Sequence, residues 1–342
     1  MSPYPRLVRR AMTDPRLGRL PLGAAAVLAL LLAGTRPAHA KAYKGAEVYS
    51  NDTVLYGRME ARMRMIRGSS LISAFFTYKN GSELSGALWG ELDLEAFGKD
   101  DAKAWQSNLI TGNPRVTSEQ VYTSPTSLAD EYHTYGLEWA PDYVSWSFDG
   151  TEVRRTVGGQ ASQLVEAHSL RFNVWSSEDA GWVGALDESA LPACLFVNWL
   201  RYYRYENGQF VLDWTDDFDD FDTSRWSTGT WTFDRNRVDF DPANAVVQDG
   251  TLILVITKEG ATGFTGAVPA DPQGNASNVP VTPSTPTVPT APVTPAKSSS
   301  GSGCSLLPAR TDGQRGASPF GACLLAVLAL GAVRRLRPRA RR

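Results

Sequence analysis

From Tyr56 the chain reads YGRMEARMRMI and then LISAFFTYKNGS, two stretches in which apolar and polar residues alternate as in a strand before ending in turn residues. Gly57 and Asn80-Gly81 punctuate them. The same texture continues through AWQSNLITG, HTYGLEWAPDYVSWSFDGTEV, LRFNVWSS and LFVNWLRYYRYENGQ, then through FVLDWTDDFDDFDTSRW, WTFDRNRVDF and DGTLILVITK. Helical periodicity is nearly absent and no internal repeat is visible. Short strands at regular spacing, with Pro141-Asp142 and Asp149-Gly150 as turns, predict an all-β sandwich in which WAPDYVSWSFDG is a hairpin.

One stretch departs from ordinary alternation. Leu88 to Asp100 reads LWGELDLEAFGKD, and its centre places Glu91, Asp93 and Glu95 on one face of a strand with Leu92 and Leu94 on the other. Three ionised acids on one face repel one another and raise one another's pKa. The pattern fits an amphipathic edge strand; it also fits a catalytic set. On a strand, Glu91 and Glu95 lie roughly 13 Å apart at the α-carbon, and side chains leaning together bring the carboxyls to about 5 or 6 Å, the separation of a retaining glycosidase pair. Glu91 and Glu95 are then nucleophile and general acid, and Asp93 shares a proton or hydrogen bond that sets the two pKa values apart.

The ends of the 342-residue chain are unlike its middle. Residues 1–40 combine an Arg-bearing start, an apolar core from Leu20 to Gly34 and Ala38-His39-Ala40, which reads as a secretory signal peptide cleaved before Lys41. Residues 41–265 form the globular domain. Residues 266–303, rich in Pro, Thr, Ser, Val and Ala, read as an extended spacer. Residues 304–342 carry Cys304, an apolar run from Phe320 to Val333 and a terminal Arg cluster; they resemble the sorting tails of some Gram-negative surface proteins, which implies a secreted protein held at the cell surface. A short membrane anchor is the alternative, although about 14 apolar residues is short for a span.

Charge is distributed just as unevenly. The two ends hold fourteen of the 34 Lys and Arg residues but only two of the 36 Asp and Glu, which leaves residues 41–303 near −14. Nucleic acid is excluded as a partner, because its phosphates demand a basic face; a neutral polymer is compatible. Cys194 is the one cysteine of the globular part, so stability comes from a core rather than disulfides. About 225 residues suffice for one, and a monomer is expected. All ten tryptophans fall between Trp89 and Trp231, a density that fits sugar stacking as well as core packing. His133 and His168 are isolated from other metal-ligand types and read as structural.

The acidic strand, together with EYHTYGLEWAPDYVSWSFDG and RFNVWSS, resembles the family 16 glycoside hydrolases, in particular the bacterial lichenases, endo-1,3-1,4-β-glucanases. The resemblance covers about Tyr43 to Gly260 and implies a concanavalin-like jelly-roll sandwich. The segments DWTDDFDDFDTSRW, WTFDRNRVDF and DGTLIL, which precede the catalytic strand in most such enzymes, follow it here, so the chain resembles the circularly permuted subgroup, with the junction at Tyr205 to Gln209. A sandwich tolerates this when its original termini are adjacent at the surface.

By this resemblance Glu91 is the nucleophile, Asp93 the assisting acid and Glu95 the acid/base. Trp89, Trp175 and Trp231 match positions that stack on sugar rings. Glu47, Tyr56, Tyr78, Gln106, Asn108, Asn173 and Arg237 match polar cleft positions, and Phe233 lines the cleft or packs beneath it. An Arg that lichenases of ordinary order place shortly after the Glu47 position is missing in AEVYS. No cofactor is implied for catalysis. A structural Ca²⁺ is implied, with Asn198 offering its side chain and Asp217 and Gly250 their carbonyls. The implied activity is retaining hydrolysis of β-1,4 bonds next to β-1,3 bonds in mixed-linkage glucan. The alternatives are a relative acting on β-1,3-glucan, xyloglucan or a galactan, and a non-catalytic glucan-binding module.

Overall fold

A computed structural model of the protein describes residues 40–281. The leader, most of the spacer and the tail with Cys304 and Cys323 lie outside the described residues. Sixteen strands are present among the described residues: β1 (Tyr43–Ser50), β2 (Gly57–Arg64), β3 (Leu71–Tyr78), β4 (Trp89–Phe97), β5 (Ala104–Gly112), β6 (Val116–Thr123), β7 (His133–Ala140), β8 (Tyr143–Phe148), β9 (Thr151–Val157), β10 (Ser169–Ser176), β11 (Ala193–Glu206), β12 (Gln209–Asp216), β13 (Trp226–Thr228), β14 (Val238–Phe240), β15 (Ala245–Gln248) and β16 (Thr251–Lys258). The α-helices among these residues are single turns, and none is long or apolar enough to cross a membrane. The all-β sandwich is therefore as expected.

One layer runs β6-β5-β4-β3-β10-β1 and the other β9-β8-β7-β2-β11-β16, joined where β1 meets β16 at Tyr43 and Lys44. The apolar half of each alternation closes the space between them. Leu92 and Leu94 of β4 are fully buried, each contributing roughly 1.5–3 kcal/mol of transfer free energy. The layers are tied behind the acidic strand, where Trp146 Nε1 of β8 donates to the Asp93 carbonyl at 2.9 Å. The rings of Trp105 and Tyr135 meet edge to face across the same gap at 6.4 Å.

The turn dipeptides sit where expected. Asp149-Gly150 and Asn207-Gly208 join β8–β9 and β11–β12, and all four residues adopt positive φ, which a two-residue hairpin matched to the strand twist requires. Four strands were not legible as such, among them the short β13 and β15, which fall almost wholly outside the alternating stretches. β6 is polar and largely exposed on both faces, and β1 is buried on both faces because it bridges the layers, so neither alternates cleanly. In WTFDRNRVDF only Val238–Phe240 pairs as a strand, and the acidic run after Asp216 is loop.

The spacer reading is corrected at its start. Asp271 accepts both Nε and Nη2 of Arg62 at 2.9 Å, with both side chains nearly buried. Asn198 Nδ2 donates to Asp271 and to the Gly274 carbonyl, Asp217 Oδ1 accepts from Ala276 N at 2.8 Å, and Arg201 binds the carbonyls of Ala276 and Val279. Residues 271–279 are thus strapped across β2 and β11. Their anchors are backbone groups and one carboxylate, which leave no apolar periodicity to read.

Candidate active site

The acidic strand β4 lies inside its sheet between β3 and β5, so it is not an edge strand. Register carries its face across the layer. Glu95 is opposite Gln106 on β5 and Ala74 on β3; Ala74 is opposite Asn173 on β10, and Asn173 opposite Glu47 on β1. A second row runs Glu119, Asn108, Asp93, Phe76, Arg171, Tyr49, and Glu91 stands between Ile110 and Tyr78. Side chains separated by several strands thus share one surface because each sits at the same parity of the pleat.

Environment separates the three acids. Burial pushes the Glu91 carboxyl up to about 7, opposed by the Trp89 indole N–H at 2.6 Å, by Arg171, by a hydrogen bond from Asp93 and by Arg115. Glu95 is raised to about 8 by burial and by the charges of Glu91 and Glu119. Asp93 is raised well above its ordinary value by burial and by both glutamates, and it gives its proton to the bond with Glu91. Negative charge therefore gathers on Glu91 and protons on Asp93 and Glu95. This is the division of labour that a nucleophile with a separate general acid requires.

Aromatic walls flank the acids. Trp175, expected to stack on sugar, is instead buried in the core, packed against Trp182 and Phe233 with ring centroids 5.8 and 5.0 Å away, whereas Trp231 stands 5.4 Å from Tyr49 and remains 38% exposed. The loop carrying Trp231 and Phe233 is stitched to the end of β10 by the Ser177–Asn236 bridge and by Arg237, whose backbone N–H reaches the Ser176 carbonyl and whose Nε reaches that of Ser177. Trp89 differs from the other two: the Arg115 guanidinium lies 4.3 Å over its ring, Tyr78 meets it edge on, and its N–H is spent on Glu91. The polar floor is cross-linked. Arg171 pairs with the buried Glu47 at 2.7 Å, Asn173 donates to Glu47, Trp182 Nε1 donates to Gln106, and Asn108 accepts from Ser118 N.

Of the residues predicted for the cleft, Tyr56 is not brought to it. Tyr56 lies before β2 in the other layer, packed against Trp139 and Tyr205. Arg171, Tyr49, Arg115, Trp182 and Glu119 join the site and were not singled out from the sequence. Arg171 was within reach, since RFNVW places it on the same face as Asn173 and Trp175; Arg115 comes from a loop and Trp182 from a single helical turn, Ala180–Val183, both too short for periodicity to register. His168 is buried on Thr77 and His133 pairs with Asp149 at 2.7 Å, both structural uses. The residues matched to a calcium ion are close together. A bulge at Asn198 faces the start of β16, and a Cβ on Gly250 would come within 3.9 Å of the Asp217 carbonyl. Two acceptors fix the Asn198 amide nitrogen, which leaves its Oδ1 as the atom to offer an ion. This donor set of one amide oxygen and two carbonyls fits a hard cation.

Residues 28–187 match the family model described as Glycosyl hydrolases family 16. A beta-glucanase from Fibrobacter succinogenes (strain ATCC 19169 / S85) is 48% identical over 250 residues, 70% of this chain and 71% of that protein. A beta-glucanase from Bacillus subtilis (strain 168) is 31% identical over 174 residues, 51% of this chain and 68% of that protein. Among solved structures, the Bacillus licheniformis beta-glucanase aligns at 29% identity with a TM-score of 0.40, covering 46% of this chain and 70% of that one.

Proposed function

This chain belongs to family 16 of the glycosyl hydrolases, and on that premise we propose that it is a secreted, retaining endo-β-glucanase cleaving β-1,4 bonds adjacent to β-1,3 bonds in mixed-linkage glucan. The observation that carries the reading is the unequal treatment of Glu91 and Glu95, one surrounded by donors and cations and the other by burial and negative charge.

The chemistry follows from that asymmetry. A glucan chain lies along the aromatic walls with its scissile bond over β4. Glu95 gives its proton to the glycosidic oxygen as that oxygen leaves, while a Glu91 oxygen bonds to the anomeric carbon. Asp93 keeps its hydrogen bond on Glu91 and limits charge build-up before attack. Glu95, now ionised, takes a proton from water as the water oxygen attacks the same carbon; the ester to Glu91 breaks and Glu95 is again protonated. Two inversions leave the configuration retained.

Other parts of the reading rest on separate supports. Colinear identity reaches 250 residues with the Fibrobacter protein but 174 with the Bacillus subtilis one, which supports a permuted order with its junction at the tight Asn207-Gly208 hairpin. A calcium ion held by Asn198, Asp217 and Gly250 would brace β11 against β16, away from the acids. Export and surface attachment rest on the leader and tail sequences. Sugar release from barley glucan, lichenan, laminarin and carboxymethylcellulose tests the specificity: rapid cleavage of the first two is expected, and prompt hydrolysis of laminarin with none of mixed-linkage glucan would sink it.

A further inference from the structure

Lys41 lies at the first bond after the predicted leader and is bonded to none of the three acids of β4, yet both its nitrogens reach residues 232–239. Its Nζ donates to Thr232 Oγ1 at 2.6 Å, to the Phe233 carbonyl at 3.4 Å and to the Asn236 carbonyl. Those three oxygens line the mouth of the turn that runs from Trp231 to Arg237. The same turn is closed internally by Thr232 Oγ1 to the Val238 carbonyl and by Phe240 N to the Trp231 carbonyl. The main-chain nitrogen of Lys41 donates to Asp239 Oδ2 at 2.8 Å, and Lys44 Nζ lies 3.2 Å from the same oxygen. Beyond it, β1 and β14 pair in parallel from Tyr43 and Val238.

We propose that Lys41 is a positioning residue for the substrate wall, and that cleavage of the Ala40–Lys41 bond completes the pin. Its side-chain ammonium fills an oxygen-lined turn whose two limbs present Trp231 and Phe233, so the orientation of both rings depends on it. Hydrolysis of the preceding peptide bond by a peptidase adds water across the C–N bond, leaving a carboxylate on Ala40 and an ammonium on Lys41. The neutral N–H donor now facing the Asp239 carboxylate becomes a cation, so a bond charged only at its acceptor becomes an ion pair. A protein carrying an uncut leader would have the wall less firmly held. The inference rests on the reading that this wall receives the glucan, but one of its readouts does not.

The test uses the protein beginning at Lys41, the same protein with an N-acetyl group, and the variants Lys41→Met, Lys41→Arg and Asp239→Asn. Hydrogen–deuterium exchange across residues 230–240 needs no substrate. It should quicken at least several-fold in Lys41→Met and in the acetylated protein, with Lys41→Arg recovering part of the protection. In Asp239→Asn, acetylation should make no further difference. On mixed-linkage glucan, Lys41→Met should raise KM several-fold with kcat within about twofold. The advantage of the free N-terminus should fade as pH passes the ordinary α-amino range, about 8. Unchanged exchange in Lys41→Met, or a loss confined to kcat, would overturn the proposal. If exchange responds while glucan is not bound at all, the pin stands and the reading of the wall's ligand falls.

Discussion

The burial that keeps the Glu95 carboxyl protonated also weakens the fold, and Glu95→Gln measures by how much. The folded-state pKa of Glu95 is raised from 4.5 to about 8, so below pH 4.5 the carboxyl is neutral in both states and the fold bears no penalty. As pH rises, the unfolded chain releases this proton and the folded one retains it, and stability falls by about 1.4 kcal/mol per pH unit until the folded group also titrates. At pH 7 the accumulated penalty is about 3 kcal/mol, shared within the trio because Glu91 is one of its causes. Gln has the shape of the protonated acid and cannot ionise. The variant should therefore melt roughly 6–12 °C higher than the parent at pH 7, taking roughly 2–4 °C per kcal/mol for a domain of this size, and lose roughly 10²–10⁴ in kcat. Thermal denaturation of both proteins from pH 4 to pH 8 is the assay. The two melting curves should meet near pH 4 and separate as pH rises. A variant no more stable at pH 7, or one whose gain persists unchanged at pH 4, would refute the assignment of a buried, protonated Glu95.

Two further outcomes follow from other parts of the molecule. Arg171 is one of the groups holding the Glu91 carboxyl down, so Arg171→Met should move the acidic limb of the kcat/KM profile to higher pH while leaving the alkaline limb, set by Glu95, nearly in place; a downward shift would contradict the geometry. Burial pushes the Asp271 carboxyl up but the bonds from Arg62 and Asn198 outweigh it, so it titrates below its ordinary value; Asp271→Ala, which leaves Arg62 buried and unpaired, should cost about 3–5 kcal/mol at neutral pH and progressively less as pH falls below about 4, checked by denaturant unfolding and by proteolysis within residues 266–281.

What could be read from the sequence and what could not divides along physical lines. The acidic strand was legible because its chemistry sits on a period-two repeat that no packing requirement disturbs, and its partners Gln106, Asn108 and Asn173 lie on strands of the same parity. The aromatic set was half legible: Trp231 is bulky and exposed, but Trp175 is buried in the core and Arg115 over Trp89 depends on a loop path that alternation does not encode. Tyr56 matched by position yet fell in the opposite layer, because β2 pairs with β7 and β11 rather than with β3. The strap at Asp271 was hidden for another reason, since its anchors other than the Asp271 carboxylate are backbone carbonyls and amides, which every residue possesses.

The central claim is that Glu91 forms a covalent bond to the sugar. A 2-deoxy-2-fluoro glucan oligosaccharide with a good leaving group slows the second step more than the first, so the glycosylated protein accumulates and can be digested and sequenced by mass spectrometry. The sugar mass should be found on Glu91 alone, with free product of retained configuration appearing as the adduct turns over. A label on Asp93 or Glu95, or release of product with inverted configuration and no adduct, would contradict the account.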